Sequence, residues 1–106
     1  MRPLVVALAA LALSGCATTA PQLPDGERFA YACAGSKAFA VAYDKGFTYA
    51  VVTTDRARYQ LPAAMAASGA RYSDGRVEFW EKGPEAMLNG AAGGPYNECV
   101  ETNSEK

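Results

Sequence analysis

From Phe29 onward the apolar residues of this chain recur at every second position, and that period excludes most folds. In an extended strand, successive side chains point to opposite faces. "AFAVAYD" therefore sets Phe39, Val41 and Tyr43 on one face and Ala38, Ala40 and Ala42 on the other. "FAYACA" does the same with Phe29, Tyr31 and Cys33, and "RVEFWEK" sets Val77 and Phe79 opposite Glu78 and Trp80. "FTYAVVTTD" is rich in β-branched and aromatic residues, and "RYQL", "ARYS", "EAML" and "ECVE" are shorter candidates. Turn-forming residues separate these runs at Gly35-Ser36, Asp44-Lys45-Gly46, Asp55-Arg56, Ser73-Asp74-Gly75, Lys82-Gly83-Pro84 and Gly90 to Pro95. About seven or eight short strands at this spacing predict an all-β chain, either an antiparallel sandwich or a small closed barrel. Phe29, Tyr31, Phe39, Tyr43, Tyr49, Tyr59 and Phe79 then read as core or barrel wall. "LPAAMAASGA" is Ala-rich but bracketed by Pro62 and Gly69, which predicts a loop or a single helical turn.

The N-terminus has a different character. Arg2 is followed by an apolar run, Leu4 to Leu13, too short to span a bilayer as a mature helix, and then by Leu13-Ser14-Gly15-Cys16. The whole resembles a bacterial lipoprotein signal, residues 1–15, with Cys16 as the lipid attachment site and new N-terminus. Acyl chains on Cys16 would anchor the protein, each buried methylene contributing about 0.8 kcal/mol. Ala17 in the next position favours the outer membrane, with the domain facing the periplasm. Residues 16–27 read as the lipidated Cys and a flexible, small, polar, Pro-containing tether. Residues 28–106 form the domain.

In an exported chain the two remaining cysteines, Cys33 and Cys99, read as one disulfide. It would close nearly the whole domain, worth roughly 4 kcal/mol in the chain-entropy model. Of the 10 Lys and Arg only Arg2 lies in the signal, so nine stand against 11 Asp and Glu in the remainder. A balance of about minus two disfavours nucleic acid as a partner. His is absent, which removes the commonest general acid–base residue and metal ligand and excludes a Ser-His-Asp triad. No cluster has zinc spacing and no Gly-rich loop opens a helix, so neither metal nor cofactor is expected and the chain does not read as an enzyme. What remains is binding through loops on a rigid sheet, where Ser68-Gly69 and Lys82-Gly83 stand in turns.

"YACAGSKAFAVAY", "YQLP", "SGARYSDGRVEFWEKGPEAML" and "YNEC", in that order, resemble the membrane-bound lysozyme inhibitor of C-type lysozyme family. The similarity runs from about Tyr31 to Cys99. Its most specific part is Ser68-Gly69-x-x-Tyr72 followed by Phe79-Trp80-x-Lys82-Gly83, with 14 residues from Ser68 to Lys82. The resemblance implies an eight-stranded antiparallel β-barrel closed by one disulfide, Cys33 to Cys99. It implies a C-type lysozyme as protein partner, blocked by loops that carry Ser68 and Lys82 into its cleft. Gly69, Tyr72 and Gly83 belong to the same lysozyme-binding motif. One departure stands out: the family's Gly three residues after the first Cys is replaced by Ser36, with Gly35 one position earlier. The alternative reading is an envelope β-barrel lipoprotein that binds a small ligand or serves a structural role, marked by an interior cavity.

Overall fold

The computed structural model describes residues 20–104. Cys16 and the signal region lie outside them. Eight strands run in chain order: β1 (Arg28–Cys33), β2 (Lys37–Tyr43), β3 (Tyr49–Thr53), β4 (Arg58–Ala64), β5 (Ala70–Ser73), β6 (Glu78–Lys82), β7 (Glu85–Asn89) and β8 (Tyr96–Ser104). Each pairs antiparallel with the next, and β8 pairs with β1, so the sheet closes into a barrel. Closure resolves the choice between sandwich and barrel and gives every strand two neighbours, although β4 meets β5 only at Ala63 and Ala64.

The period of two becomes an inside and an outside. Tyr31, Phe39, Val41, Tyr43, Val52, Leu61, Phe79 and Leu88 are buried members of one core cluster. Aromatic rings fill the barrel by edge and stacking contacts, such as Tyr31–Phe39 at 5.1 Å, Phe39–Phe79 at 5.8 Å and Phe39–Tyr96 at 5.7 Å. Phe79 is fully buried at the centre of this set. Truncating it to Ala would cost about 3–5 kcal/mol through lost transfer energy and the cavity left behind. Phe29 and Tyr59 are partly buried against the core, whereas Tyr49 is half-buried outside that cluster. The disulfide Cys33–Cys99 spans 66 residues of sequence and ties β1 to β8, the two strands whose pairing closes the barrel.

Two stretches differ from expectation. "LPAAMAASGA" is neither wholly loop nor helical, because β4 continues through Leu61 and Pro62 to Ala64. Pro62 has Tyr49 of β3 as its ladder partner, while pairing with β5 begins one residue later, at Ala63. A residue lacking its N–H is tolerated where one side of the strand has no ladder. The second stretch is the end of the segment read as a tether. Pro21 to Glu27 lies along the barrel wall: Pro24 is buried, the Arg58 guanidinium donates to the Pro21 carbonyl at 3.0 Å, and Gly26 N donates to the Tyr43 carbonyl at 2.8 Å. A Cβ on Gly26 would collide with that same carbonyl. Ala42 and Val51, cross-strand partners on the outer face, are accordingly buried instead of solvated.

The turn after β1 explains the departure at Ser36. Ala34–Ser36 form a single 3-10 turn in which Gly35 has φ 78° and Ser36 φ 62°. The position where the family pattern carries Gly is thus left-handed in this chain, with a Ser accepting the conformation.

Candidate functional site

At one end of the barrel the chain turns at 44–48, 65–69 and 83–84. The loop between β4 and β5 carries Ser68, and the turn between β6 and β7 follows Lys82. Because β5 and β6 are neighbours in register Ala70↔Glu81 and Arg71↔Trp80, the two loops emerge side by side. Fourteen residues of sequence thus become one short step in space.

The Ser68 loop is held at three points. The Trp80 indole N–H donates to the Ser68 carbonyl at 2.9 Å. The Arg71 guanidinium donates to the Met65 carbonyl at 3.0 Å and pairs with Glu78 on the next strand. Gly69, at φ 71°, lies directly against β6: an added Cβ would stand 2.6 Å from Lys82 Cγ and collide with the Glu81 carbonyl oxygen. Only a residue without a Cβ allows this approach and this φ together. With its carbonyl engaged below, the exposed Ser68 has its side chain at the surface.

Lys82 is exposed at the end of β6 and faces Glu85 across a two-residue turn, Gly83-Pro84. Gly83 has φ 60°, the positive value that a tight hairpin of the II′ kind needs at its first central position. Among the described residues the Arg71–Glu78 contact is the only ion pair, so no described carboxylate neutralises the Lys82 ammonium. Its sequence neighbour Glu81 is directed the other way by strand alternation, into the barrel mouth, where the Tyr43 hydroxyl donates to Glu81 Oε1 at 2.7 Å. Burial, the Glu81 hydrogen bond and its charge push the Tyr43 phenol far up, and burial with the Glu81 charge does the same at Tyr31. Tyr72 is shifted up too, by burial first and then by Glu81. These phenols remain protonated, and the Tyr43 hydroxyl holds the Glu81 carboxylate inward. The geometry keeps one ammonium unpaired beside an exposed hydroxyl.

Of the residues expected in the binding motif, Ser68, Gly69, Lys82 and Gly83 come together at this end. Tyr72 does not join their surface. It is 4% exposed, points into the core, and stacks on Phe79 at 6.2 Å. The reason is the alternation in "ARYS": Arg71 faces out, so Tyr72 faces in. Tyr72 can support the site from beneath but offers it no contact area. Arg71 and the half-exposed Trp80 were not singled out as loop braces, although both lie on the outward positions of their strands. Among the described residues no group of three or more His, Cys, Asp or Glu is placed to hold a metal ion.

Comparison with known proteins decides the family. A family model described as membrane-bound lysozyme-inhibitor of c-type lysozyme matches residues 31–96, from the first buried tyrosine of β1 to the start of β8. The chain belongs to this family. Two curated relatives carry the name membrane-bound lysozyme inhibitor of C-type lysozyme. One, from Yersinia enterocolitica, is 34% identical over 91 residues, covering 86% of this chain and 74% of the relative. Another, from Cupriavidus necator, is 36% identical over 69 residues, covering 63% of this chain and 55% of the relative. No solved structure gives a significant match. The family match encloses both the Ser68 loop and the Lys82 turn.

Proposed function

We propose that this protein is a lipid-anchored inhibitor of C-type lysozyme, fixed through Cys16 to the outer membrane with its barrel in the periplasm. The observation that carries the proposal is the delivery of Ser68 and an unpaired Lys82 to one barrel end by adjacent strands, within a chain of this family. C-type lysozymes cleave glycosides with two carboxyl groups, one a protonated acid and the other ionised. The Lys82 ammonium pairs with the ionised carboxylate, in a charge-assisted hydrogen bond that strengthens as water leaves the cleft. The Ser68 hydroxyl both donates and accepts, so it meets a carboxyl in either protonation state. Gly69 and Gly83 supply the backbone geometry, and Tyr72 packs behind it. Inhibition then requires only occupancy of the cleft, with no reaction. The reading of the barrel as a small-ligand container has less support, because aromatic rings fill the interior.

Near-stoichiometric protein is expected to stop cell-wall lysis by a C-type lysozyme, and an oxidised, folded sample without effect would refute the proposal. Lys82→Ala is expected to weaken inhibition by about 2–5 kcal/mol, the usual loss when a buried charge is left unpaired. Ser68→Ala is expected to cost less, about 1–3 kcal/mol. Two folded variants that inhibit like the parent would refute the site.

A further inference from the structure

Phe47 is the most exposed aromatic of the chain, beyond the half-buried Phe29, Tyr49, Tyr59 and Trp80. Tyr31, Phe39, Tyr43, Tyr72, Phe79 and Tyr96 are at most 4% exposed, whereas Phe47 is 47% exposed. It also has φ 57°, a left-handed conformation that is uncommon for any residue with a Cβ and strained for a bulky one. Nothing in turn chemistry asks for an aromatic there; Gly, Asn or Asp would sit in the same backbone with less strain.

The turn is nevertheless held tightly in this shape. Asp44 Oδ1 accepts from Thr48 N at 2.7 Å and from Tyr49 N at 2.9 Å, and Asp44 Oδ2 accepts from the Thr48 hydroxyl at 2.7 Å. Phe47 N donates to the Asp44 carbonyl at 3.0 Å, and Ala63 N of β4 donates to the Thr48 carbonyl at 2.9 Å. Strained residues persist only where their surroundings over-determine them, and they cluster at functional sites. The place is informative too. The Phe47 ring lies 5.2 Å from that of Tyr43, whose hydroxyl binds Glu81, the neighbour of Lys82. Met65, 86% exposed, stands in the loop that carries Ser68.

We propose that Phe47 is an apolar anchor of the lysozyme-binding face, docking on a nonpolar patch at the rim of the lysozyme cleft beside the entry point of Ser68 and Lys82. This inference rests on the lysozyme reading above and adds a third element to it, with Met65 as its flank. The Phe47 turn is continuous with the proposed interface, since β3 and β4 pair at Tyr49 and Pro62 and so set the 44–48 turn beside the loop that carries Ser68. A rigid aromatic side chain on a pre-organised turn loses little entropy on binding, and such residues dominate interface energetics.

The test compares the full-length parent with Phe47→Asn and Phe47→Tyr, reading Kd for a C-type lysozyme and the melting temperature of each. Asn suits the left-handed backbone better, so its melting temperature should stay level or rise. Its Kd should nevertheless weaken by about tenfold, with Tyr restoring binding to within about twofold of the parent. Less than about fivefold weakening by Phe47→Asn, or a loss that Tyr fails to restore, overturns the anchor. A melting temperature that falls with Kd unchanged makes Phe47 a lid over Tyr43 and overturns it equally. If the parent itself binds no C-type lysozyme, the functional reading fails first, and the two failures are told apart by that measurement.

Discussion

The Trp80 indole N–H donates to the carbonyl of Ser68, 12 residues earlier in the chain, at 2.9 Å. This bond sets the height of the Ser68 loop above the sheet. The chain's only Trp is therefore half-exposed for a reason: it faces outward on β6 with its polar atom under the neighbouring loop. Trp80→Phe keeps most of the ring and removes the donor. It should lower stability by about 1 kcal/mol, the net worth of one hydrogen bond, which is a fall of about 4–8 °C in melting temperature, and weaken lysozyme inhibition as the Ser68 loop loosens. Inhibition titrations and thermal melts on the same samples check this.

Gly69→Ala should be more damaging than its size suggests. The new methyl group meets the Glu81 carbonyl and the Lys82 stem, at a φ that disfavours any Cβ. A loss of about 1–3 kcal/mol in stability is expected from the strained backbone alone. Displacement of β6 should reduce inhibition as well, because the clash is transmitted to Lys82. Denaturant melts with parallel inhibition assays separate the two effects.

Ser36→Gly should stabilise the protein. Ser36 holds φ 62° with no need for its side chain in the turn, and a left-handed residue with a Cβ costs about 1–2 kcal/mol. Gly recovers part of this and loses part to the greater freedom of the unfolded chain. A small rise in melting temperature with unchanged inhibition is the expected result.

Replacing Cys33 and Cys99 together by Ala should lower stability by up to about 4 kcal/mol, the chain-entropy value for a loop of this length. The bridge ties β1 to β8 at the closure of the barrel, so its loss should appear as easier opening of that strand pair. Hydrogen exchange of β1 and β8 amides, parent against variant, reports it.

Two turn aspartates make stability pH-dependent. Asp74 is held below the usual carboxylate range by backbone N–H bonds from Val77 and Arg76. At Asp44 desolvation is the largest single influence and pushes upward, but the bonds from Tyr49, Thr48 and Gly46 together outweigh it and leave the pKa lowered. A lowered folded-state pKa contributes stability above the unfolded value of about 3.9, lost as pH falls through the folded value. Melting temperature should therefore be level near neutral pH and decline below about pH 5. Asp74→Asn should flatten part of that decline.

Most of the barrel was legible because alternation is a direct imprint of a two-sided sheet. Phe39, Val41 and Tyr43 face inward as the period requires, and the turn residues mark most strand ends. Pro62 misled, since local propensity carries no record of which side of a strand will be paired. The pairing of Cys33 with Cys99 followed from cysteine count, but their position on adjacent closing strands did not. At the site, Ser68 and Lys82 were recognisable as a spaced motif. Tyr72 belongs to the same motif by resemblance, and strand parity sends it to the inner face, beneath the surface that Ser68 and Lys82 share. Trp80 was visible as part of the motif, but its hydrogen bond to the Ser68 loop, the bracing by Arg71 and the exposure of Phe47 depend on which strands become neighbours.

The strap from Pro21 to Glu27 has a consequence for orientation. It enters beside Arg58, at the start of β4, and reaches Tyr43 at the opposite end, where Ser68 and Lys82 also stand. With the anchor at Cys16 as proposed, five residues of at most about 3.5 Å each join the bilayer to Pro21. So short a leash seats the Arg58 end of the barrel near the lipid. The end proposed to inhibit is then held outward like a lamp on a post, one barrel length from the membrane and unobstructed for an arriving lysozyme.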